Sequence, residues 1–164
     1  IANALAQNLG FGCLVVRTGT GKNITIGVDG VAGAPAIGVF QGCKYRDLKG
    51  NIVYSPNWVS GTATFASEGA KATVIDDPKV VFLAQMSAGF VAADSGQFGG
   101  LVIGAPNSQG VSQDEVNSAD ITGTLDNFKI LGLYEDQRNA YGTNALVEVL
   151  IAFHEYGDGT IRAS

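Results

Sequence analysis

The apolar runs of this chain are all short: the longest stretches of consecutive hydrophobic residues reach five before a polar residue breaks them. Such spacing excludes a membrane-spanning helix, which needs about 20 apolar residues. Glycine does much of the breaking. The 164 residues include 23 glycines, about twice the ordinary usage of roughly 7%, and they follow no three-residue period, so a collagen-like chain is excluded. With 46% hydrophobic residues, the chain can bury a core, which argues against disorder.

The runs between these breaks read as strands. They are rich in Val, Ile, Phe and Thr, the residues that suit a pleated, half-buried surface. The clearest are Cys13–Arg17, Ile24–Val28, Ile37–Gln41, Ile52–Tyr54, Thr62–Ala66, Ala72–Ile75, Val80–Gln85, Leu101–Ile103, Phe128–Tyr134 and Ala145–His154. In the last, Val147, Val149, Ile151 and Phe153 share one face, while Leu146, Glu148, Leu150, Ala152 and His154 share the other, the pattern of a central strand. Val80–Gln85 is apolar on both faces, which predicts a strand covered on both sides. Tyr45–Asn51 reads as a hairpin loop, because Asp47 can accept backbone N–H bonds ahead of it and Gly50 can take a positive φ.

Helical signals are few. Ile1, Leu5 and Leu9 repeat at four-residue spacing, and Ser112 to Glu115 matches a capping box, which predicts a turn or two of helix over Val116–Ala119. Ten short strands without intervening helices predict an all-β sandwich or barrel.

Composition narrows the partners. Ten Lys and Arg against fifteen Asp and Glu give a net charge of -5, too few cations to neutralise many phosphates, so nucleic acid is not an expected partner and neither is a membrane. The two cysteines, Cys13 and Cys43, lack metal-site spacing and read as reduced core thiols. The chain opens at Ile1 without methionine, so an initiator or short segment is expected to precede it, and the first residues lack signal-peptide features. Asn23-Ile24-Thr25 is a glycosylation sequon.

No motif carries a reaction. Gly19 to Asn23 lacks both the upstream glycine and the hydroxyl of a phosphate loop and reads as a tight turn; Gly96 to Gly100 lacks dinucleotide-loop spacing. His154 is the sole histidine, without a Gly-x-Ser-x-Gly elbow. The acidic pairs Asp76-Asp77, Asp114-Glu115 and Glu135-Asp136 place adjacent carboxyls on opposite strand faces or in turns, Asp76-Asp77-Pro78 most plainly. Asp120, Asp126 and Asp158 lack the ladder of alternating oxygens of a calcium loop. No catalytic residue, metal or cofactor is therefore expected. Trp58 suits either a core plug or a stacking surface.

A wider pattern of residues resembles a known group of proteins. Ile37 to Asp47, then Gly50, Ser55 and Trp58, then Asp76 to Phe82 and Gln85, and later Phe128 to Leu133, Asp136, Asn139, Gly142 and Ala145 to His154 resemble the capsid decoration or cement proteins of tailed double-stranded DNA bacteriophages. The likeness spans about residues 37–156 in the order and texture of motifs. It implies a jelly-roll-like β-sandwich, here of about eight to ten short strands. Residues 1–36, outside the likeness, are expected to form an N-terminal arm and first strands, and residues 37–164 the remainder of the same single domain. It also implies a non-enzymatic structural protein, made in the host cytoplasm and located on the capsid exterior. Its expected partners are the major capsid protein and itself, as a dimer or trimer. Ile1, Leu5 and Leu9 are candidate capsid contacts, with packing on their own domain as the alternative role. Two other functions fit a motif-poor β domain. One is a virion glycan- or receptor-binding module, such as a head fibre or tail component, using Trp58, Tyr134 and Tyr141 as surface aromatics. The other is a cell-wall-cleaving enzyme built on Glu135 and Asp136.

Overall fold

A computed structural model describes residues 1, 5–18, 22–30, 34–65 and 68–157. The chain is all-β with antiparallel sheets, as expected of the β-sandwich class. Its strands are β1 (Leu14–Arg17), β2 (Ile24–Ile26), β3 (Ala36–Arg46), β4 (Ile52–Ser55), β5 (Ala70–Ile75), β6 (Phe82–Gln85), β7 (Gly89–Phe90), β8 (Phe98–Val102), β9 (Glu115–Thr122), β10 (Phe128–Leu133), β11 (Gly142–Thr143) and β12 (Leu146–Ile151). A 3-10 turn, Ala92–Asp94, precedes β8. Among the described residues no helix is long and apolar enough to cross a membrane.

The strands divide between two compact units. The first is drawn from Ile1–Gly27, Ile37–Asp76 and Gly104–Gln113, the second from Val28–Ala36, Asp77–Ile103 and Asp114–Ser164.

In the first unit β3 is the organising strand. Sheet order runs β2-β1-β3-β4, and β5 pairs with the other edge of β3. The eleven-residue β3 is mostly buried over Ala36–Cys43, and two of its glycines allow neighbouring backbone to come unusually close. Gly38 has φ 141°, and a methyl group there would overlap the Ile75 carbonyl oxygen; Gly42 has φ 130°, and its methyl would lie 2.7 Å from the Ser55 carbonyl oxygen. Beneath the sheet lies a core containing Leu9, Cys13, Val15, Phe40, Cys43 and Trp58. The β3–β4 hairpin closes as its sequence requires. Asp47 Oδ1 accepts the N–H groups of Lys49 and Asn51, each at 2.8 Å, and Gly50 sits at φ 87°.

In the second unit the sheet order is β6-β12-β10-β8-β9, and its outermost strands meet. Met86, just after β6, forms a parallel bridge with Val116 of β9; Ser87 N–H donates to the Val116 carbonyl at 3.0 Å, and the Ser87 and Ser118 hydroxyls lie 3.1 Å apart. The sheet thus curls on itself into a small barrel, which removes much of its open edge. Val147, Val149 and Ile151 of β12 face inward with Ile130, and Leu101 pairs with Val116 on the same interior face.

Four local expectations change. Leu9 is not helical: it exchanges both backbone hydrogen bonds with Trp58, at 3.0 and 2.9 Å, because its side chain is fully buried in the core; Ala2–Ala4 lie outside the described residues. Ser112–Glu115 does not start a helix, since Glu115 opens β9 and Val116 is held between β8 and the end of β6, so tertiary pairing overrides the local cap. Val80–Gln85 is not covered on both sides. Val81, just before β6, and Leu83, on β6 across from Glu148, are exposed because they lie on the face away from buried Val147 and Val149. Thr62–Phe65 forms no strand, and Ala66, Gly19–Gly21 and Asp158 lie outside the described residues.

The close approach at Gly38 makes a clear expectation. Gly38→Ala should lower unfolding stability by roughly 3 kcal/mol, the upper end of overpacking costs in a core, whereas Gly89→Ala, with open space around its Cβ position and no positive φ, should cost far less. Chemical denaturation of the two variants checks this, and equal losses would contradict it.

Candidate functional site

A group of three acidic side chains surrounds Gly100 on β8. Gly100 pairs with Asn117 of β9 and faces outward from the barrel, opposite to inward-facing Leu101. A Cβ placed on Gly100 would lie 2.5 Å from Asp29 Oδ1, 3.4 Å from Asp120 Oδ2 and 3.4 Å from Asp126 Oδ2. Three carboxylates from separate segments thus converge where β8 carries no side chain.

Each carboxylate is held locally. Asp29 Oδ1 accepts the Leu101 N–H at 2.7 Å, Asp126 Oδ1 accepts the Asn127 N–H at 2.8 Å, and Asn117 donates its amide to Asp120. Buried Asn127 anchors the loop that presents Asp29, accepting the Gly30 N–H at 2.7 Å and donating to the Val28 carbonyl at 3.0 Å. Burial pushes the Asp126 carboxyl above its ordinary value; the neighbouring Asp29 and Asp120 charges add to that rise, and the Asn127 N–H bond opposes it. Asp120 and Asp126 carry acidic signals in the sequence. Asp29, separated from Leu101 by 72 residues, has no local signal that would join it to them. Among the described residues no group of three His, Cys, Asp or Glu is disposed to hold a metal ion.

The proposed aromatic surface is largely dismantled. Trp58 is 1% exposed and packs edge-to-face against Tyr45 at 5.7 Å between centroids, so it is a core residue of the first unit. Tyr141 is 52% exposed but stacks on buried Phe90 at 5.6 Å. Tyr134 is half-buried and lines a shallow groove with Asp136, Arg138, Asn139, Asn144 and Leu146.

The candidate contact residues at the N-terminus also turn inward. Ile1 and Leu9 are buried and Leu5 packs against the same core, with the Ile1 carbonyl accepting the Ala70 N–H at 3.0 Å. Their side chains are therefore used within their own unit, the alternative role the sequence allows, and do not present an apolar arm.

The remaining chemical candidates serve structure. Cys13 and Cys43 are buried thiols with no disulfide; burial pushes the Cys43 thiol up, while the Ile1 amino group partly offsets this. His154 is buried, and its Nδ1 accepts the Tyr156 N–H at 3.0 Å. The Asp136 carboxylate accepts the Arg138 N–H at 2.9 Å, and the Asp77 carboxylate accepts the Lys79 N–H at 2.8 Å, so both acids organise turns.

Large apolar groups stand exposed on both units. On the first, Lys44 pairs with Tyr54 and Arg46 with Ile52, so these four side chains share the outer face of the β3–β4 pair; Tyr54 is 73% exposed. On the second, Leu83 is 54% exposed and lies across from Glu148, beside the pair of Gln85 with exposed Leu146.

Compared with protein families, curated proteins and solved structures, the chain matches none.

The raised Asp126 carboxyl has a definite sign. Its ionisation costs the folded state, so its stabilising contribution is full below the ordinary carboxylate value and is lost as pH rises through the raised one. Asp126→Asn should melt roughly 1–3 °C above wild type at neutral pH, the gap closing as pH falls below the carboxylate range. Calorimetry across pH measures it; a variant that melts lower at neutral pH would contradict the assignment.

Proposed function

We propose that this chain is a structural virion protein that seats on the outer surface of a tailed-phage capsid and stabilises it by bridging major capsid subunits. The observation that carries this reading is the presence, on each of two compact units, of a sheet face bearing exposed large apolar side chains: Ile52 and Tyr54 on one, Leu83 and Leu146 on the other. Exposed apolar side chains grouped on one face and rimmed by polar groups favour protein contact. Two such faces on one chain suit a bridging role, because the second contact gains from the effective concentration set by the first.

The likeness of residues 37–156 to decoration proteins supports the same reading. So does the net charge of -5, which favours a position away from packaged DNA, where like charges repel. The glycan-binding reading loses its best stacking ring, since Trp58 is sealed in the core.

Binding to undecorated capsids tests the proposal. Purified chain should co-sediment saturably with the capsids of its phage and raise their disruption temperature. Leu83→Lys, which faces Glu148, and Tyr54→Asp, which faces Lys44, both at exposed positions, should together weaken binding by about tenfold or more, as loss of interface anchors does, while leaving the melting of the free chain nearly unchanged. Failure of the wild type to co-sediment would overturn it.

A further inference from the structure

The charges of this acidic chain are divided very unevenly between its two units. The first carries Arg17, Lys22, Lys44, Arg46, Lys49 and Lys71 against Asp47, Glu68 and Asp76, six basic to three acidic residues and a net charge of +3. The second carries four basic residues against twelve acidic ones, a net charge of -8.

The basic residues of the first unit are concentrated on one surface. Lys44 of β3 lies directly across from Lys71 of β5, and Arg46 follows on the same face. All three are exposed. Like charges directly opposed on paired strands repel, so the arrangement costs the isolated fold and is relieved when an anion lies over it. These cations line a depression of about 230 Å³ with Ile52 and Glu68. The Lys44 ammonium stands 5.3 Å from the centre of the Tyr54 ring, and the Arg46 guanidinium 5.7 Å from that of Phe65. Arginine beside exposed aromatic and aliphatic groups is the composition favoured in protein interfaces. A nucleic acid is a poorer occupant, because the unit's six basic residues are too few to neutralise many phosphates.

The complementary surface is present on the same chain. The three carboxylates at Gly100 belong to the acidic unit, and none of them is a partner in a described ion pair. We propose that the Lys44–Arg46–Lys71 face of one copy docks on the acidic unit of a second copy, around Asp29, Asp120 and Asp126, in a head-to-tail contact. Two different patches make this a heterologous interface, which repeats from copy to copy and closes into a ring or extends as a chain. The contact needs no capsid, so it stands or falls separately from the capsid-binding reading.

Sedimentation of the full chain over a range of concentrations, at about 20 mM and about 500 mM NaCl to vary screening, tests the proposal. Wild type should associate at low salt and revert to monomer at high salt. Lys44→Glu with Lys71→Glu, and separately Asp120→Lys, should each weaken association by at least tenfold, with circular dichroism melts confirming that both remain folded. An equimolar mixture of the two variants retains one intact pair of faces and should form dimers that grow no further. A wild type that stays monomeric at low salt would overturn the proposal. So would association that the variants leave unchanged, or a mixture that stays monomeric.

Discussion

The first unit depends on how closely the backbone can approach β3. Three strands gather along it: β1 beside Phe40, β4 beside Cys43–Arg46, and β5 on the other edge from Val39 to Tyr45. Gly38 and Gly42 leave room for the Ile75 and Ser55 carbonyls, and side chains at those two positions would push the partners away. The period of two then does the rest. Cys43 is delivered to the core with Trp58 and Leu9, while Lys44 and Arg46 are left on the outside. One strand thus builds the interior of the unit and also its most strongly charged face.

The second unit meets a different constraint, the open edge of a five-stranded sheet. Met86 and Val116 draw its outermost strands together, and the barrel interior fills with Ile130, Val147, Val149 and Ile151. Closure also fixes what remains outside. Gly100 faces outward at a place where Asp29, Asp120 and Asp126 converge, and Leu83 is left exposed next to Glu148. A single chain thereby presents a basic, aromatic surface on one unit and an acidic surface on the other, each maintained by the hydrogen bonding of its own unit.

Much of this is legible in the residues because the signals are local. Asp47 and Gly50 specify their hairpin through contacts within five residues, and the alternation of Val147, Val149 and Ile151 marks a central strand whatever its neighbours are. The readings that fail are those decided by distant partners. The capping pattern at Ser112–Glu115 is sound chemistry, yet Val116 gains more from pairing with β8 and bridging to Met86 than from a short helix. Val81 and Leu83 look interior because both are apolar, and only the pairing with β12 reveals that Leu83 lies on the face away from Val147 and Val149. The carboxylates at Gly100 and the pairing of Lys44 with Lys71 join segments far apart in the chain, so no spacing rule marks them.

Taken together, the buried Trp58, the inward-turned Leu9 and the two exposed, differently charged surfaces favour a protein whose chemistry lies in its contacts. The most direct measurement is the number of copies bound per capsid, by quantitative gel analysis or image reconstruction of purified particles. A shell-bridging protein should be present in hundreds of copies at symmetry-related positions on the outer surface. Absence from particles, or a copy number in the tens or fewer, would contradict that role.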